Sequence, residues 1–475
     1  MKEQLSLSLS LDRASKISLS EQIRQGIERA IEQGVLKAGA RLPSWLDLAS
    51  QLGVSRGTVK AAYERLVDGQ LVVSSRAAGT RVAERPLRAV IREERPDEGS
   101  FTQLHQEMIA GQGIFQLGIP AKDSLPSKVF ARIRARSVRM ETTGWPTYPD
   151  PRGELDLRQE IAGYLAISRG IDCTPAQIII TSGFAGGLGL VLRALALEGT
   201  FGWFENPGFP FSRRALEISR IQLVPVPVDD EGIVVDYGIR HAKQATLALV
   251  TPGQHAPLGA TMSLRRRLQL IEWAAESKTW VIEDDYLGEL QLDGRAAPAL
   301  MSLDRSGRVI HLGSFSKTIS PKLRIGFAVI PAQEVHRFAE VAATLAPAPA
   351  PSIQAAISEF MRDGLYIRHL RRTRRLLISQ RDVLVECLSR RGINAKIAGL
   401  SALIELQQGV SDIAICRESA VFGLSPGPLS PWYADSSQAP AKLLLGIATA
   451  PISSVDQACD RLAHIIHRHT ASAAR

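Results

Sequence analysis

Cysteine is scarce in this chain, and its cysteines lie far apart. They are Cys173, Cys387, Cys416 and Cys459, with no pair at the close spacing of a zinc ribbon. A disulfide framework in a chain of 475 residues would need more of them, in a regular pattern. The histidines also lack the spacing of a ligand set. We therefore expect no metal site and a reducing, cytoplasmic environment.

Long hydrophobic runs are also missing. No segment approaches the roughly 20 apolar residues that a membrane-spanning helix needs. Residues 1–16 alternate Ser and Leu without a continuous apolar core, which makes them a poor secretion signal. Neither sign of charge dominates, because 57 basic and 48 acidic residues leave a net charge of +9, which permits a polyanionic partner but does not demand one. The length predicts two or three domains of a soluble protein.

The chain up to residue 83 has the pattern of three helices and a hairpin. A capping signal at residues 18–21 precedes three isoleucines spaced four apart, which predicts a first helix that stops near Gly34. A second helix follows residues 41–44, and a tight turn at 53–55 leads into a third helix at 56–66. Two short helices joined by such a turn are typical of a helix-turn-helix motif.

The third helix has one apolar face for packing and one polar face. Val59, Ala62, Tyr63 and Leu66 form the apolar face, so the opposite side is free to enter a major groove. The pattern of residues 71–82 predicts a two-stranded wing, whose Arg76 and Gly79 would approach the sugar-phosphate backbone or the minor groove. The alternative interpretation is that these helices and the hairpin form a module that contacts another protein. The candidate DNA-binding residues are Arg41, Ser44, Ser55, Arg56, Thr58, Lys60, Arg76, Gly79 and Thr80.

The segment from LPSWLDLASQLGVSRGTVKAAYERL to the AGTRV wing resembles the GntR class of winged helix regulators. That class commonly has an arginine three residues after the proline, where it contacts DNA. This chain has Leu46 there, with Trp45 before it. The resemblance therefore implies an operator-binding winged helix from which one common contact is missing.

A charged, proline-containing segment at 84–115 is typical of a linker between domains, so we predict a DNA-binding domain at 1–83 and a second domain at 116–475. Beyond the linker, strand-like apolar runs alternate with helical stretches, which predicts an α/β fold with a mostly parallel sheet. The predicted strands are 178–181, 201–204, 223–226, 247–250, 280–282, 309–312 and 325–329.

Chemically reactive residues follow several of these strands. Lys317 follows the strand at 309–312, at the strand end where open α/β sheets bind ligands, with Ser314 and Ser316 before it and Arg324 after it. The hydroxyls and the guanidinium would bind a phosphate, and the lysine would form a Schiff base. Taken alone, such a lysine is usually an exposed loop residue.

Other strand ends supply the partners that such a lysine needs. Strand alternation places Asp284 and Tyr286 on one side, where a carboxylate can keep a pyridinium protonated and a phenol can bind a ring oxygen. Ser182 and Gly183 open a helix whose amides can face a phosphate. Phe209 follows another strand, either as a ring that stacks on a cofactor or as ordinary core.

The segments ITSG, ENPGF, VTPGQHAPLGATMSL, VIEDDY and GSFSKTISPKLRIGF resemble fold type I aminotransferases, over residues 115–465. With the winged helix in front, the chain resembles the MocR/GabR family of regulators. The resemblance implies pyridoxal 5'-phosphate bound to Lys317, with Asp284, Tyr286, Phe209, Ser182, Gly183, Ser314 and Arg324 around it. It also implies a smaller C-terminal α/β subdomain and a homodimer in which Tyr148 reaches the partner's cofactor.

Three departures bear on catalysis. Ala256 stands where these enzymes usually have asparagine, and Leu444 aligns with the arginine that binds a substrate carboxylate. Glycines at 186 and 187 should weaken the helix after Gly183. We also interpret the basic run 366–375 as a solvated helix face with intramolecular partners, the alternative being a DNA contact.

The sequence therefore predicts a regulator that binds operator DNA and senses an amine or amino acid through lysine-bound pyridoxal phosphate. A ligand that displaces Lys317 from its Schiff base would bias the arrangement of the two winged helices. The alternatives are an aminotransferase with a vestigial DNA module, which Leu444 disfavours, and a regulator without cofactor, which the set of Lys317, Asp284, Tyr286 and Arg324 disfavours.

Overall fold

A computed structural model describes residues 11–15, 17–32, 34–69, 71–75, 79–83, 113–122, 124–143, 147–294 and 296–473. The chain divides into two compact units, Met1–Glu98 and Gly99–Arg475. Most of the predicted linker, up to residue 112, lies outside the described residues. Each unit has its own hydrophobic core.

The described residues of the first unit include the three predicted helices, α1 (Leu19–Glu32), α2 (Trp45–Leu52) and α3 (Arg56–Asp68). α2 and α3 both begin after a serine whose hydroxyl accepts a backbone N–H of the first turn. α2 ends at Gly53, whose φ of +60° suits glycine and turns the chain into α3. This confirms the predicted helix-turn-helix.

The predicted wing is formed by β1 (Val72–Ser75) and β2 (Gly79–Val82), which pair antiparallel. Buried side chains of the helices and the wing form one core, and α3 contributes the four residues expected from its apolar face. The predicted DNA contact Arg76 lies outside the described residues.

The second unit is α/β. Its helices are α4 (Ser127–Thr143), α5 (Leu155–Arg169), α6 (Gly183–Leu195), α7 (Pro210–Ile218), α8 (Val235–His241), α9 (Leu264–Glu276), α10 (Leu300–Leu303), α11 (Val335–Leu345), α12 (Pro351–Arg362), α13 (Leu365–Ser389), α14 (Asp412–Val421) and α15 (Val455–Ala473). Its strands are β3 (Ile178–Thr181), β4 (Phe201–Asn206), β5 (Gln222–Asp229), β6 (Gly232–Ile233), β7 (Leu247–Val250), β8 (Trp280–Asp285), β9 (Val309–Ser314), β10 (Gly326–Val329), β11 (Ala395–Ala398), β12 (Ser401–Glu405), β13 (Gly427–Pro428) and β14 (Lys442–Gly446).

Eight strands form the central sheet, in the order β3-β10-β9-β8-β7-β4-β5-β6. Strands β9, β8, β7, β4 and β5 are parallel, and β10 runs antiparallel to both β9 and β3. The carboxyl ends of β3, β4, β7, β8 and β9 therefore share one edge of the sheet, which we call the carboxyl edge. This mostly parallel sheet confirms the predicted fold class.

A second sheet forms the smaller C-terminal part of this unit. Its four antiparallel strands have the order β11-β12-β14-β13; α13 packs against β11, α14 packs against β13, and both helices pack against α15. The predicted weak start of α6 does form a helix in spite of its glycines. No helix among the described residues is long and apolar enough to cross a membrane.

Candidate functional site

Lys317 lies in the loop that follows β9 at the carboxyl edge. Its Nζ donates a hydrogen bond to the carbonyl oxygen of Gly118, at 2.7 Å. A Cβ atom at Gly118 would lie 2.6 Å from this Nζ, so glycine leaves the room that the amine occupies. Burial lowers the pKa of Lys317 to about 8, although the Asp284 carboxyl group works in the opposite direction. A lysine with this pKa is neutral, and so nucleophilic, in about a tenth of molecules at pH 7.

Residues of α13 form hydrogen bonds with the loop that contains Lys317. Thr318, which is fully buried, accepts a hydrogen bond on Oγ1 from the Tyr366 hydroxyl at 3.1 Å. His369 Nε2 lies 2.5 Å from the Thr318 carbonyl oxygen. Sequence reasoning missed this role, because residues 366–375 look like a basic surface segment although two of their polar side chains are buried. The start of α13 thus positions the lysine loop.

Asp284 lies in β8, and only 8% of its surface is exposed. Burial raises the pKa of Asp284 well above its usual range, and the carboxyl groups of Asp285 and Glu205 raise it further. Its Oδ1 has no hydrogen-bond partner among the described residues. Because a buried polar atom without a partner is costly, this oxygen fits a ligand that carries a hydrogen-bond donor, such as a protonated ring nitrogen.

Tyr286 follows β8 directly and is half-buried. Burial raises the pKa of Tyr286, so its phenol stays protonated and can donate a hydrogen bond. The two acidic residues that flank Asp284 have other partners. Glu283 accepts a hydrogen bond from the Leu300 amide at 2.6 Å, and Asp285 forms an ion pair with Arg169 at 2.7 Å. Asp284 and Tyr286 are therefore the polar side chains of this segment left for a ligand.

Three strand ends bring the predicted phosphate ligands together. In the sheet register, Gly326 at the start of β10 lies opposite both Ser314 of β9 and Thr181 of β3. Ser314 Oγ donates to Ser316 Oγ at 3.0 Å and accepts the Ser316 backbone N–H at 3.1 Å. These two hydroxyls are half-buried at the carboxyl edge.

Arg324 and Ser182 meet at the same place. Arg324 Nη2 donates to the Ser182 carbonyl oxygen at 3.3 Å, and both residues are exposed. Arg324 lies before β10 rather than at its first position, with a φ of +50° that a non-glycine residue seldom adopts. Gly183 opens α6 with a φ of +75°, and a Cβ there would lie 3.8 Å from the Arg324 guanidinium carbon. The free amides of a helix start and a guanidinium thus share one surface, which suits a phosphate.

Phe209 lies just before α7 and packs against other aromatic rings. Its ring centroid is 5.2 Å from that of Phe211 and 5.6 Å from that of Trp432. Ala256 and Leu444 belong to the same apolar cluster, and Leu444 is 1% exposed. The predicted aromatic ring is therefore half-buried among apolar side chains of the small sheet, and Leu444 is part of that packing.

Glu205 is a buried group that sequence reasoning missed. It lies in β4 with 4% of its surface exposed, and it accepts hydrogen bonds from the Thr251 amide at 3.0 Å and hydroxyl at 2.6 Å. Burial raises the pKa of Glu205 to about 7. Its neighbour His255, 3.7 Å away, has a pKa lowered to about 4 by burial. The available signal was a lone carboxylate after the apolar run FGWF.

The predicted DNA-binding residues lie on one module. Ser55 caps α3 by accepting the Thr58 amide at 3.1 Å, and Arg56 and Lys60 are exposed on the first turns of that helix. Lys60 is 3.8 Å from Glu64, an exposed pair of little energetic weight. Ser44 caps α2 in the same way, by accepting the amide of Asp47.

Arg41 forms a β-bridge with Arg81, which ties the segment before α2 to the wing. A Cβ at Gly79 would lie 3.3 Å from Arg41 Nε, so Gly79 and Arg41 lie side by side. Thr80 is half-buried, and its carbonyl oxygen accepts the Leu42 amide. Leu46 is 43% exposed on α2.

Two further features predicted from the sequence belong to the second unit, Tyr148 and the basic run 366–375. Tyr148, predicted to reach a partner subunit, is fully exposed. In the basic run of α13, Arg374 donates to the carbonyl oxygens of Gln291 and Gly294, which supplies the intramolecular partner expected for part of that run. The exposed arginines of the run are Arg368, Arg371, Arg372 and Arg375.

Comparison with known families matches both units. Residues 116–409 match the family described as aminotransferase class I and II, and residues 19–82 match the bacterial regulatory proteins of the gntR family. Over 438 residues the chain is 33% identical to the probable rhizopine catabolism regulatory protein MocR of Rhizobium meliloti, covering 89% of this chain and 88% of the relative. Over 382 residues it is 30% identical to the pyridoxine biosynthesis transcriptional regulator PdxR of Corynebacterium glutamicum, covering 80% and 81%.

Solved aminotransferase structures share the fold of the second unit. Kynurenine aminotransferase of Pyrococcus horikoshii, solved in complex with PMP, superposes with a TM-score of 0.70 at 23% identity and covers 79% of this chain and 96% of its own. The multiple substrate aminotransferase of Thermococcus profundus gives a TM-score of 0.70 at 20% identity, covering 78% and 96%. At these identities the likeness establishes the fold alone.

Proposed function

Because this chain belongs to the MocR type of gntR-family regulator, with a body of the aminotransferase class I and II family, we propose that Lys317 senses an amine or amino acid through its bound cofactor. The protein is a pyridoxal phosphate-dependent transcriptional regulator that binds operator DNA through its winged helix. The observation that supports Lys317 as the sensing residue is its half-buried amine, which has a pKa of about 8 and lies near the buried Asp284 carboxyl group with its unpartnered oxygen.

The residues of the carboxyl edge would each hold one part of pyridoxal phosphate. Asp284 would bind the ring nitrogen and Tyr286 the ring oxygen, while Phe209 would lie against the ring. The phosphate would be held by Ser182, Gly183, Ser314, Ser316 and Arg324. When bound, the cofactor supplies an aldehyde that bonds reversibly to primary amines. Lys317 provides the neutral amine for that bond, and the protonated phenol of Tyr286 provides a hydrogen-bond donor.

Side chains near the start of α3 and on the wing would contact the operator DNA. Arg56, Thr58 and Lys60 would reach the major groove, and the neighbouring Arg41, Ser44, Ser55, Gly79 and Thr80, with Arg76, would contact the backbone. We further propose a cytoplasmic homodimer that places two such modules on repeated half-sites. Tyr148, fully exposed in the single chain, would approach the partner's site.

One side chain, Leu444, favours a ligand sensor over an enzyme that converts its ligand repeatedly. Leu444 is buried in an apolar cluster, so it cannot pair with a substrate carboxylate as an arginine would. Without such a pair, an amino acid is poorly oriented for repeated catalysis. We therefore favour a regulator over an aminotransferase with a vestigial DNA module.

The absorption spectrum between about 300 and 500 nm tests the proposal, for wild type and Lys317→Ala after incubation with pyridoxal phosphate. We expect a visible band in the wild type that borohydride makes irreversible at Lys317, and no such band in the variant. Equal spectra would overturn the role of Lys317. Operator affinity, measured with and without amines, then tests whether the site regulates DNA binding.

A further inference from the structure

Helix α13 contacts the lysine site through two different segments of the chain. Near its start it forms hydrogen bonds with the loop that contains Lys317, and further along it forms hydrogen bonds with the segment that follows Tyr286. The first segment leaves β9, and the second leaves β8, the strand that contains Asp284. One helix therefore contacts both of the segments that bring the amine and the carboxyl group to the site.

The first set of contacts fixes Thr318, the residue after Lys317. Thr318 Oγ1 accepts a hydrogen bond from the Tyr366 hydroxyl at 3.1 Å, and the Thr318 carbonyl oxygen lies 2.5 Å from His369 Nε2. Tyr366, His369 and Thr318 are buried, with at most 3% of their surface exposed. Both the side chain and the main chain of Thr318 are bound, so the adjoining peptide of Lys317 cannot turn without loss of a buried hydrogen bond.

His369 has the charge state that this contact needs. Burial lowers the pKa of His369, so its ring is neutral at pH 7 and has a single N–H group. The Thr373 hydroxyl lies 3.4 Å from His369 Nδ1 and can donate to it. The N–H group is then on Nε2, where it donates to the Thr318 carbonyl oxygen.

The second set of contacts is formed by Arg374. Its guanidinium donates to the carbonyl oxygen of Gln291 at 2.6 Å and to that of Gly294 at 3.1 Å. Gln291 Nε2 donates in turn to the carbonyl oxygen of Gly253, in the loop after β7, at 3.1 Å. Hydrogen bonds from a charged donor are stronger than those from a neutral one. Arg374 therefore fixes the segment that continues from Tyr286.

We propose that Tyr366, His369 and Arg374 are positioning residues of the sensing site. Through α13 they fix the Lys317 loop relative to the segment that presents Asp284, and they keep the amine half-buried. This inference rests on the proposed role of Lys317, and it adds the residues that set the position of its amine. Because α13 also packs against α15 and β11, the same helix joins the lysine site to the smaller sheet.

The test uses the full chain and the pH dependence of band formation with pyridoxal phosphate. Tyr366→Phe and His369→Leu each remove one hydrogen bond to Thr318, and the double variant removes both. The inflection, at about 8 in the wild type, should move up by at least about one pH unit in the double variant, because a looser loop exposes the amine to water. His369→Gln keeps an N–H donor and should restore most of the wild-type profile. Tyr237→Phe, on α8, removes a hydroxyl outside these contacts and should keep that profile.

The variants at Tyr366 and His369 leave the charged and titratable neighbours of the three groups in place. These neighbours are the carboxyl groups of Asp284 and Glu289, the guanidinium of Arg372 and the phenol of Tyr164. A shifted inflection therefore reports a changed position of the amine and not the loss of a charge. A role in stability alone would lower the free energy of unfolding and leave the inflection unchanged.

Arg374 is tested beside its neighbour on the same helix. Arg374→Gln removes a guanidinium that is bound to backbone carbonyl groups, whereas Arg375→Gln removes the same charge from an exposed side chain. Only Arg374→Gln should weaken the binding of pyridoxal phosphate, by at least about fivefold in Kd, because it releases the segment next to Tyr286. Titration of the band with pyridoxal phosphate measures both values.

The outcomes separate this inference from the proposed function. A wild type without any Lys317-dependent band contradicts both. A band whose inflection is the same in the wild type and the double variant overturns only the role of Tyr366 and His369, and equal Kd values for Arg374→Gln and Arg375→Gln overturn that of Arg374. If the double variant does not fold, Tyr366→Phe alone decides by the direction of its shift, since Thr318 Oγ1 can still donate to the Phe315 carbonyl oxygen.

Discussion

Arg169 and Asp285 form an ion pair inside the second unit. Arg169 Nε lies 2.7 Å from Asp285 Oδ2, and the two side chains are 1% and 7% exposed. Arg169 is the last residue of α5, and it also donates from Nη1 to the Ala297 carbonyl oxygen at 2.7 Å. Asp285 is the last residue of β8 and the neighbour of Asp284. The pair therefore fixes the strand end that presents Asp284 to the lysine site.

Replacing one partner of this pair should destabilise the second unit. Arg169→Met would leave the Asp285 carboxylate buried without its cation, which typically costs about 3 to 5 kcal/mol in the free energy of unfolding. Urea unfolding followed by circular dichroism measures this loss. The double variant Arg169→Met/Asp285→Leu should recover a large part of it, because no charge is then left unpaired. A loss below about 1 kcal/mol in the single variant would contradict the structural role of the pair.

Glu205 should make stability depend on pH. Burial raises the pKa of Glu205 from its usual 4.5 to about 7, so between these values the folded protein keeps a proton that the unfolded chain releases. The stabilisation by that proton is fully present below pH 4.5, the pKa of Glu205 in the unfolded chain. It is lost as the pH rises through about 7, the pKa in the folded protein, and the free energy of unfolding falls by about 3 kcal/mol in total. Glu205→Gln removes this titration and keeps the side-chain shape.

The measurement is the free energy of unfolding of both proteins at pH 5 and pH 8. Relative to wild type, Glu205→Gln should be more stable at pH 8 than at pH 5, since only the wild type loses the protonated carboxyl group. Thr251 can still bond the amide, because its hydroxyl can reverse its donor role. Parallel pH curves for the two proteins would show that Glu205 does not titrate in this range.

Strand positions could be predicted from the sequence, but the extent of several strands could not. β3 and β7 match the predicted ranges because each is a short, fully buried run of mainly apolar residues between turns. β8 was predicted to end at Ile282 and continues to Asp285, since Glu283 and Asp285 are neutralised inside the protein by His311 and Arg169. These partners lie at least 28 residues away along the chain, so local pattern cannot reveal them.

The candidate site was predictable in part for the same reason. Lys317 follows β9, and Ser314 and Asp284 lie at the carboxyl ends of β9 and β8, where the strands of a parallel sheet meet at one edge. The partners that hold this edge were not predictable: Gly118 lies 199 residues before the lysine it contacts, and Tyr366 lies 48 residues after Thr318. The packing of Phe209 against Trp432 likewise depends on a contact between residues that lie far apart in the sequence.

Formation of the Lys317-dependent band should follow the fraction of neutral lysine. Burial lowers the pKa of Lys317 from 10.5 to about 8, so the rate of band formation should rise about tenfold per pH unit below 8 and level off above it. Stopped-flow absorbance from pH 6 to 10 with pyridoxal phosphate measures this. Asp284→Asn should move the inflection to lower pH, because the Asp284 carboxyl group favours the charged lysine. An inflection near 10 in the wild type would contradict the buried setting of the amine.

Leu46→Arg should strengthen operator binding. Leu46 is 43% exposed on α2, so a longer side chain fits there without disturbing the core of the first unit. An arginine at this position would add one phosphate contact and one released counterion, which steepens the slope of log K against log salt by about 0.9. Fluorescence anisotropy with a labelled operator between about 50 and 200 mM salt gives both quantities. Leu268→Arg, which adds the same charge in the second unit, should leave the slope unchanged. If both variants steepen it equally, net charge and not a contact from α2 is responsible.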